Sequence, residues 1–436
     1  GDGLCETPLM GECTVRAAIM EANAAPGEQG VQLPAGTFEL TIAPVGLSPA
    51  TADGDLDITD DLVLIGAGAE HTRIGGASRL APFSDRVFEI LPATQVTISA
   101  VTTRYGDAGC CVFFGGGISN AGTLTLTNST VSGNYSSGGG GIYDAGTLTI
   151  INSTVSENFS AFGGGGIYIN GGGTLTLTDS TVSGNVAYYL LAGGGILNMG
   201  TATLINTTVS GNDVYYGGGG GIRNYPSGIM TLTNSTVSGN DGDFAPGGIR
   251  NAGILTLTNS TVSGNHNRYD GGSADGIQSD SHGPIAQTQA TNSIIAANGT
   301  TKYGIENCSG PFVSNGHNLS DDTTCFPAAG ADLVVADAML APLADNGGPT
   351  DTHDLLPGSP AIDAGDDIAC PATDQRGEAR PIDGDGDGMA HCDIGAVEFV
   401  PEPHHPATMV AGAALLALLY RRRTRDLEGT VCSGQV

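Results

Sequence analysis

Near the end of the sequence, Asp383, Asp385, Asp387 and Gly388 form a D-x-D-x-D-G run. Alternate carboxylates on a tight glycine turn offer the several oxygen ligands that a hard cation such as Ca2+ wants. A full calcium loop would carry Glu at its twelfth position; here position 394 is Ile, and Asp393 stands just before it. Asp383, Asp385, Asp387 and Asp393 are thus the candidate ligands, against a solvated acidic turn as the alternative. Asp53, Asp55 and Asp57 repeat the spacing, but in a strand-like stretch where a structural reading is the better one.

A second chemistry is carried by aromatic residues in regularly recurring turns. Phe113, Phe114, Tyr135, Phe159, Phe162, Tyr188, Tyr189, Tyr215, Tyr216, Phe244 and Tyr269 make up 11 of the chain's 23 aromatics. If those turns stack, the rings line one edge and form a sugar or protein contact surface; the alternative is that they fold inward. Arg223 and Arg250 recur in one column, where Tyr143 and Tyr168 stand earlier in the chain. Two stacked guanidinium groups could grip a carboxylate or sulfate, or simply face solvent. Sugar hydrolysis would need two carboxylates at a fixed separation. Asp241, Asp243, Asp270, Asp275 and Asp280 are available, but no pair stands out. No G-x-S-x-G, HExxH or P-loop occurs, and no catalytic residue is assigned.

These residues ride on an internal repeat of about 26 residues. The heptapeptide Asn-Ser-Thr-Val-Ser-Gly-Asn, or a variant, begins at Asn128, Asn152, Asp179, Asn206, Asn234 and Asn259, with a weaker copy at Asn292; the spacings are 24, 27, 27, 28, 25 and 33. In TLTLTNSTV the apolar residues alternate with Thr, the period of a strand. Aligned copies put Leu126, Ile150, Leu177, Leu204, Leu232 and Leu257 in one column and Val131, Val155, Val182, Val209, Val237 and Val262 in another. Such columns are what a solenoid buries between coils. Three short strands per copy, bending at the Asn and after the Gly-Asn, predict an all-β fold, a single-stranded parallel β-helix. Asn128, Asn152, Asn206, Asn234 and Asn259 should form one amide ladder, and Asn134, Asn158, Asn185, Asn212, Asn240 and Asn265 a second. The segment from Thr14 to Ala25 predicts a short capping helix, with Val15, Ala18, Ile19 and Ala22 on one face.

Composition sets the outer limits. The chain has 436 residues, 70 of them Gly, and a formal charge of −30 from 45 acidic against 15 basic residues. Sequence-independent nucleic-acid binding needs a basic surface, so DNA and RNA are poor partners. A polyuronate would be repelled too, whereas divalent cations and neutral sugars stay open. Cys5 and Cys13, Cys308 and Cys325, and Cys370 and Cys392 form three short-range pairs in loop-like sequence. They read as disulfides of an oxidising compartment, with reduced buried thiols as the alternative.

The two ends add a family resemblance. CTVRAAIMEANAAPG with VQLPAGTFELT, and GDLDITDDLVLIGAG (54–68), resemble the CSLREA-type region of bacterial exported β-helix proteins, with CTVRAA in place of the usual CSLREA. LAPLADNGGPTDTHDLLPGSPAIDAG (340–365) and DQRGEARPIDGDGDGMAHCDIGAVEF (374–399) resemble the choice-of-anchor Q domain. Pro401-Glu402-Pro403, an apolar run from Ala407 to Tyr420 and Arg421 to Arg423 resemble a PEP-CTERM sorting signal, although thirteen residues follow the arginines. As a helix the run would reach only about 21 Å, short of a bilayer core; an ordinary C-terminal membrane anchor is the alternative. The resemblance implies that the β-helix is right-handed, a pectin-lyase-like solenoid, and it implies export and display at the cell surface, outer membrane or extracellular matrix of a bacterium. It also implies contact with export and sorting machinery and with the membrane through the C-terminal segment, and no established reaction. The organisation expected is a cap (1–30), the β-helix (31–330), a choice-of-anchor Q-like segment (331–399), the sorting or anchor segment with its hydrophobic helix (400–425) and a tail (426–436). The function expected is non-enzymatic: adhesion, matrix structure or contact with a glycan or surface protein. A polysaccharide lyase or glycoside hydrolase is the alternative.

Overall fold

The computed structural model describes residues 13–42, 54–81, 83–109, 114–189, 192–269, 274–280, 287–299, 306–326 and 330–401. Residues up to Phe399 form one compact unit. Within it every strand-to-strand ladder is parallel and joins one coil to the next, as a right-handed β-helix requires. Three long sheets result. We name them for the residues that recur in them: the Thr sheet of 11 strands, the Val sheet of 12 and the Ile sheet of 10.

The register explains why the columns in the sequence matter. Leu124 lies beside Leu148, Leu148 beside Leu175, and Leu175 beside Ala202. Val131, Val155, Val182, Val209, Val237 and Val262 stack in the same way. Ile118, Ile142, Ile167, Ile196, Ile222, Ile249 and Ile277 complete the interior. All are buried, and each such side chain contributes about 1.5–3 kcal/mol relative to exposure.

The corners are set by residue type. The Asn or Asp that opens each heptapeptide has φ between 44 and 51° from Asn128 to Asn292, the left-handed conformation that short polar side chains tolerate. The Gly runs serve close approach instead: a Cβ on Gly165 would sit 2.2 Å from the Gly194 carbonyl of the next coil. One feature exceeds the expected three strands per copy. After each Gly-Asn a two-residue strand, from Tyr135–Ser136 to His266–Asn267, adds a fourth ladder of six strands.

The second Asn ladder explains that extra pairing. Nδ2 of Asn134, Asn158, Asn185, Asn212, Asn240 and Asn265 each donates to Oδ1 of its counterpart in the next coil at 2.9–3.0 Å. The ladder continues through Asn298 to Asn307. Each Oδ1 also accepts a backbone N–H, so strands are pinned side by side just beyond it. The corner ladder is interrupted. Asn152 donates to Asn128 at 2.6 Å, and Asn206 to Asp179 at 3.0 Å. Asn234 and Asn259 turn instead to the carbonyls of Thr373 and Asp393.

Those carbonyls belong to a C-terminal segment that lies along the outer face of the lower Val sheet. Asp351 O accepts from Thr208 Oγ1 at 2.6 Å, Gln375 Oε1 from Thr236 Oγ1 at 2.7 Å, and His353 Nε2 lies 2.8 Å from Ser238 Oγ. A separate apolar cluster of Ile294, Leu319, Leu355, Ile394 and Val397 seals the contact. The solenoid's last strand, Leu333–Val334, pairs with Leu319–Ser320.

The N-terminal end is capped by a helix, Val15–Ala24. Thr14 Oγ1 accepts the Ala17 N–H at 3.1 Å, and Val15, Ile19 and Ala22 are buried on the first coil; Ala18 is only half-buried. Arg16 and Asn23 latch the helix to the carbonyls of Asp55 and Asp57 at 2.7 and 2.8 Å. The disulfides Cys308–Cys325 and Cys370–Cys392 are formed. Cys13 is also disulfide-bonded; its expected partner Cys5 lies outside the described residues, as does the hydrophobic helix expected near 407–420. Among the described residues no helix is long and apolar enough to cross a membrane.

Candidate functional site

The extra strands place the recurring aromatics. Because each copy enters its Gly-rich turn at the same point, ring follows ring along the solenoid. Tyr135 stacks on Phe159 at 5.5 Å between centroids; Phe159 meets Tyr188 at 6.5 Å, and Tyr188 meets Tyr215 at 5.7 Å and Tyr216 at 5.3 Å. Beside this row Phe162 stacks on Tyr189 at 4.7 Å, and Tyr189 meets Tyr188 edge-on at 5.1 Å. Further along, Phe244 stacks on Tyr269 at 5.0 Å. Phe162, Tyr188, Tyr189, Tyr215, Tyr216, Phe244 and Tyr269 are 37–59% exposed, so the rings do not fold inward. Tyr135 and Phe159 are half-buried at the head of the row. A second stack was not anticipated as a unit. Phe114 lies 4.9 Å from Tyr143 and 6.2 Å from Tyr168, whose own rings are 5.3 Å apart. Tyr143 and Tyr168 stand on the outer face of the Ile sheet, and Phe114 reaches them from the turn before it. Phe113 lies outside the described residues.

Arg223 and Arg250 do occupy adjacent positions of the Ile sheet. They are not free to grip a ligand carboxylate, because Asp280 already lies between them, 3.1 Å from Arg223 Nη1 and 3.1 Å from Arg250 Nε. Arg223 is buried and packs 5.2 Å above the Tyr225 ring. Burial, helped by Arg250, lowers its pKa, and Asp280 opposes that shift.

A comparable grouping escaped the sequence reading. Arg268 reaches Asp213 at 2.7 Å, Asp241 at 3.1 Å and Asp243 at 3.5 Å, and sits 5.9 Å from the Tyr215 ring. Burial pulls the Arg268 pKa down, but Asp213 and Asp241 outweigh it and hold it above the ordinary value. Asp275 is likewise engaged, accepting the Asn267 N–H at 2.7 Å. Of the five carboxylates considered for hydrolysis, Asp241, Asp243, Asp275 and Asp280 therefore each hold an arginine or a backbone N–H. Asp270 lies outside the described residues.

The acidic turn separates into two parts. Asp383 and Asp385 come together with Asp363, with carboxylate oxygens within 4.8 Å of one another. Asp363 had no place in the motif; it lies twenty residues upstream. Its oxygens accept the N–H groups of Gly384, Asp385 and His391 at 2.8–3.0 Å. Asp387 caps the Met389 N–H at 2.8 Å and is not in that group. Asp393 does not join it either. It is fully buried, accepting N–H groups of Asp363 at 2.6 Å and Phe399, and burial beside Glu398 raises its pKa to about 7. An interior anchor, not a surface ligand, is what position 393 provides.

The right-handed β-helix region family matches residues 88–214 and 142–318, together more than half of the chain, and this protein belongs to that family. Its fold is similar to the crystal structure of pectate lyase Pel9A, with a TM-score of 0.50 and 15% identity, covering 87% of this chain and 90% of that one. The A-module of the Azotobacter vinelandii mannuronan C-5 epimerase AlgE6 aligns over 74% of this chain and 88% of its own, with 15% identity and a TM-score of 0.31. No curated protein matches the sequence.

Proposed function

We propose that this chain is an exported, non-enzymatic surface or matrix protein that holds a neutral glycan along its aromatic row. The observation that carries this reading is the run of rings in contact from half-buried Phe159 through exposed Tyr188 to exposed Tyr215 and Tyr216, tilted or edge-on to one another at 5.3–6.5 Å between centroids. Flat apolar faces edged by hydroxyls suit the C–H faces of sugar rings, and a repeat of about 4.8 Å per coil gives a long chain several successive contacts. The charge of −30 turns away polyuronates and favours a neutral polymer. Two formed disulfides support an oxidising compartment.

Affinity electrophoresis and solution binding against a panel of neutral and acidic polysaccharides test the proposal. Retention on a neutral polymer should fall about tenfold in Tyr188→Ala combined with Tyr216→Ala, in keeping with one or two lost ring contacts. New reducing ends or unsaturated products would make the chain an enzyme and end this reading. Binding untouched by the double substitution would move the site elsewhere.

A further inference from the structure

The first two strands of the Ile sheet carry a group of carboxylates that the glycan reading does not use. Asp57 and Glu89 are register partners on adjacent coils, facing outward between the inward Leu56, Ile58, Phe88 and Ile90. One carboxylate oxygen from each of Asp55, Asp57 and Glu89 lies within 4.8 Å of the others. Asp85 adds a fourth carboxylate 3.9 Å from the same guanidinium that serves Asp55 and Glu89, that of Arg86, at 2.8 and 3.1 Å. One cation thus faces four potential anions. Asp57 stands out: it is 3% exposed, yet neither of its carboxylate oxygens receives a hydrogen bond from any N–H or hydroxyl among the described residues. A buried carboxylate so placed needs a proton or a cation.

We propose that Asp55, Asp57 and Glu89 form a Ca2+ site that braces the N-terminal cap against the first coil. The ligands are hard carboxylate oxygens, two of them on neighbouring strands and one on the bend before the first, a set that the flexible coordination of Ca2+ accepts more readily than the octahedral demands of Mg2+. Backbone carbonyls of Asp57 in the first strand and of Asp55 just before it receive Asn23 and Arg16 from the capping helix, so an ion here fixes the surface on which that helix rests. Without an ion, burial raises Asp55 to about 8 and Asp57 to about 6. The rival explanation is therefore a proton shared between Asp57 and Glu89.

Calorimetric titration of the full chain with CaCl2 after EDTA treatment, paired with thermal melts, separates the two. The expected result is binding weakened at least about tenfold by Asp57→Asn and unaffected by Asp385→Asn, which alters the other acidic group. Calcium should also raise the melting midpoint of the wild type and not of Asp57→Asn. Should Asp57→Asn not fold, Glu89→Gln, at a less buried position, is read in the same way. Absence of calcium-dependent heat and stabilisation, with a rise of the melting midpoint between pH 8 and 6 that is smaller in Asp57→Asn than in the wild type, would establish the shared proton and overturn the proposal. Binding abolished by Asp385→Asn and kept in Asp57→Asn would overturn it too.

Discussion

Asn212 sits in the middle of the buried amide ladder, and its replacement by Ala gives a measurable test of what that ladder does. Its Oδ1 accepts both the backbone N–H and the Nδ2 of Asn185, at 3.0 and 2.9 Å. Its own Nδ2 donates to Val182 O and to Asn240 Oδ1, each at 2.9 Å. Asn185 Nδ2 keeps a partner in Val155 O, and Asn240 Oδ1 keeps the Asn212 backbone N–H. The Asn185 N–H loses its partner outright, and Val182 O loses the amide. At about 1–3 kcal/mol for each buried group left unsatisfied, plus a small cavity, the cost should be about 3–6 kcal/mol. Asn152→Ala is the comparison. It removes one exposed bond to Asn128 and places Ala at φ 46°, which should cost about 1–2 kcal/mol. Urea unfolding followed by far-ultraviolet circular dichroism gives both numbers, provided the slope with denaturant stays unchanged. If Asn212→Ala cost less than Asn152→Ala, the buried ladder would be decoration and the solenoid would rest on its apolar columns alone.

Two further predictions concern stability. Asp144 stands in a shorter, unexpected polar column on the Ile sheet, which Ile169 interrupts before it resumes at Asn198, Asn224 and Asn251. It accepts from Asn120 at 2.6 Å, its second oxygen is buried without a partner, and burial raises its pKa to about 6. Because the folded state holds this proton more tightly than the unfolded chain does, stability should fall as pH rises from about 4 to about 6 and then level off. Asp144→Asn should abolish that component and stabilise the protein at pH 8 by about 1–3 kcal/mol, read from melts of both proteins across the range. Replacing Cys370 and Cys392 together by Ser opens a link spanning 22 residues and should lower stability by about 2–3 kcal/mol in the same urea assay.

How much could be read in advance depended on whether the partners of a residue lay one repeat away. Leu177, Val182 and Asn185 each meet their equivalents in the next coil, so periodicity alone located them. Asn234 breaks from its column because its partner, Thr373, lies 139 residues ahead in a segment without the repeat. The same limit hid Arg268, whose carboxylates come from two earlier turns, Asp213 in one and Asp241 and Asp243 in the next, and Asp363, which completes an acidic group that the D-x-D-x-D-G spacing only half describes. By residue type alone Asp280 qualifies as one of a carboxylate pair for sugar hydrolysis, and Arg223 and Arg250 as grips for an anionic ligand. Their neutralisation of one another follows from where the chain leaves the Ile sheet after Ser279, which no local pattern encodes.

The placement of the C-terminal segment divides the solenoid in a way that bears on how such a chain can lengthen. Its handholds begin at Asn206 and Thr208 and recur at Asn234, Thr236, Ser238, Asn259, Thr261 and Asn292. The helix at the other end grips only the opening coil. Between these two fittings, the turns from Ile118 to Ser183 are tied chiefly to their immediate neighbours, with the exposed Arg79–Glu157 pair and the Phe114–Tyr168 contact reaching further. Duplicating or excising a whole unit there would leave both fittings intact, like adding a leaf to a table. The same edit below Asn206 would slide every peg out of its hole.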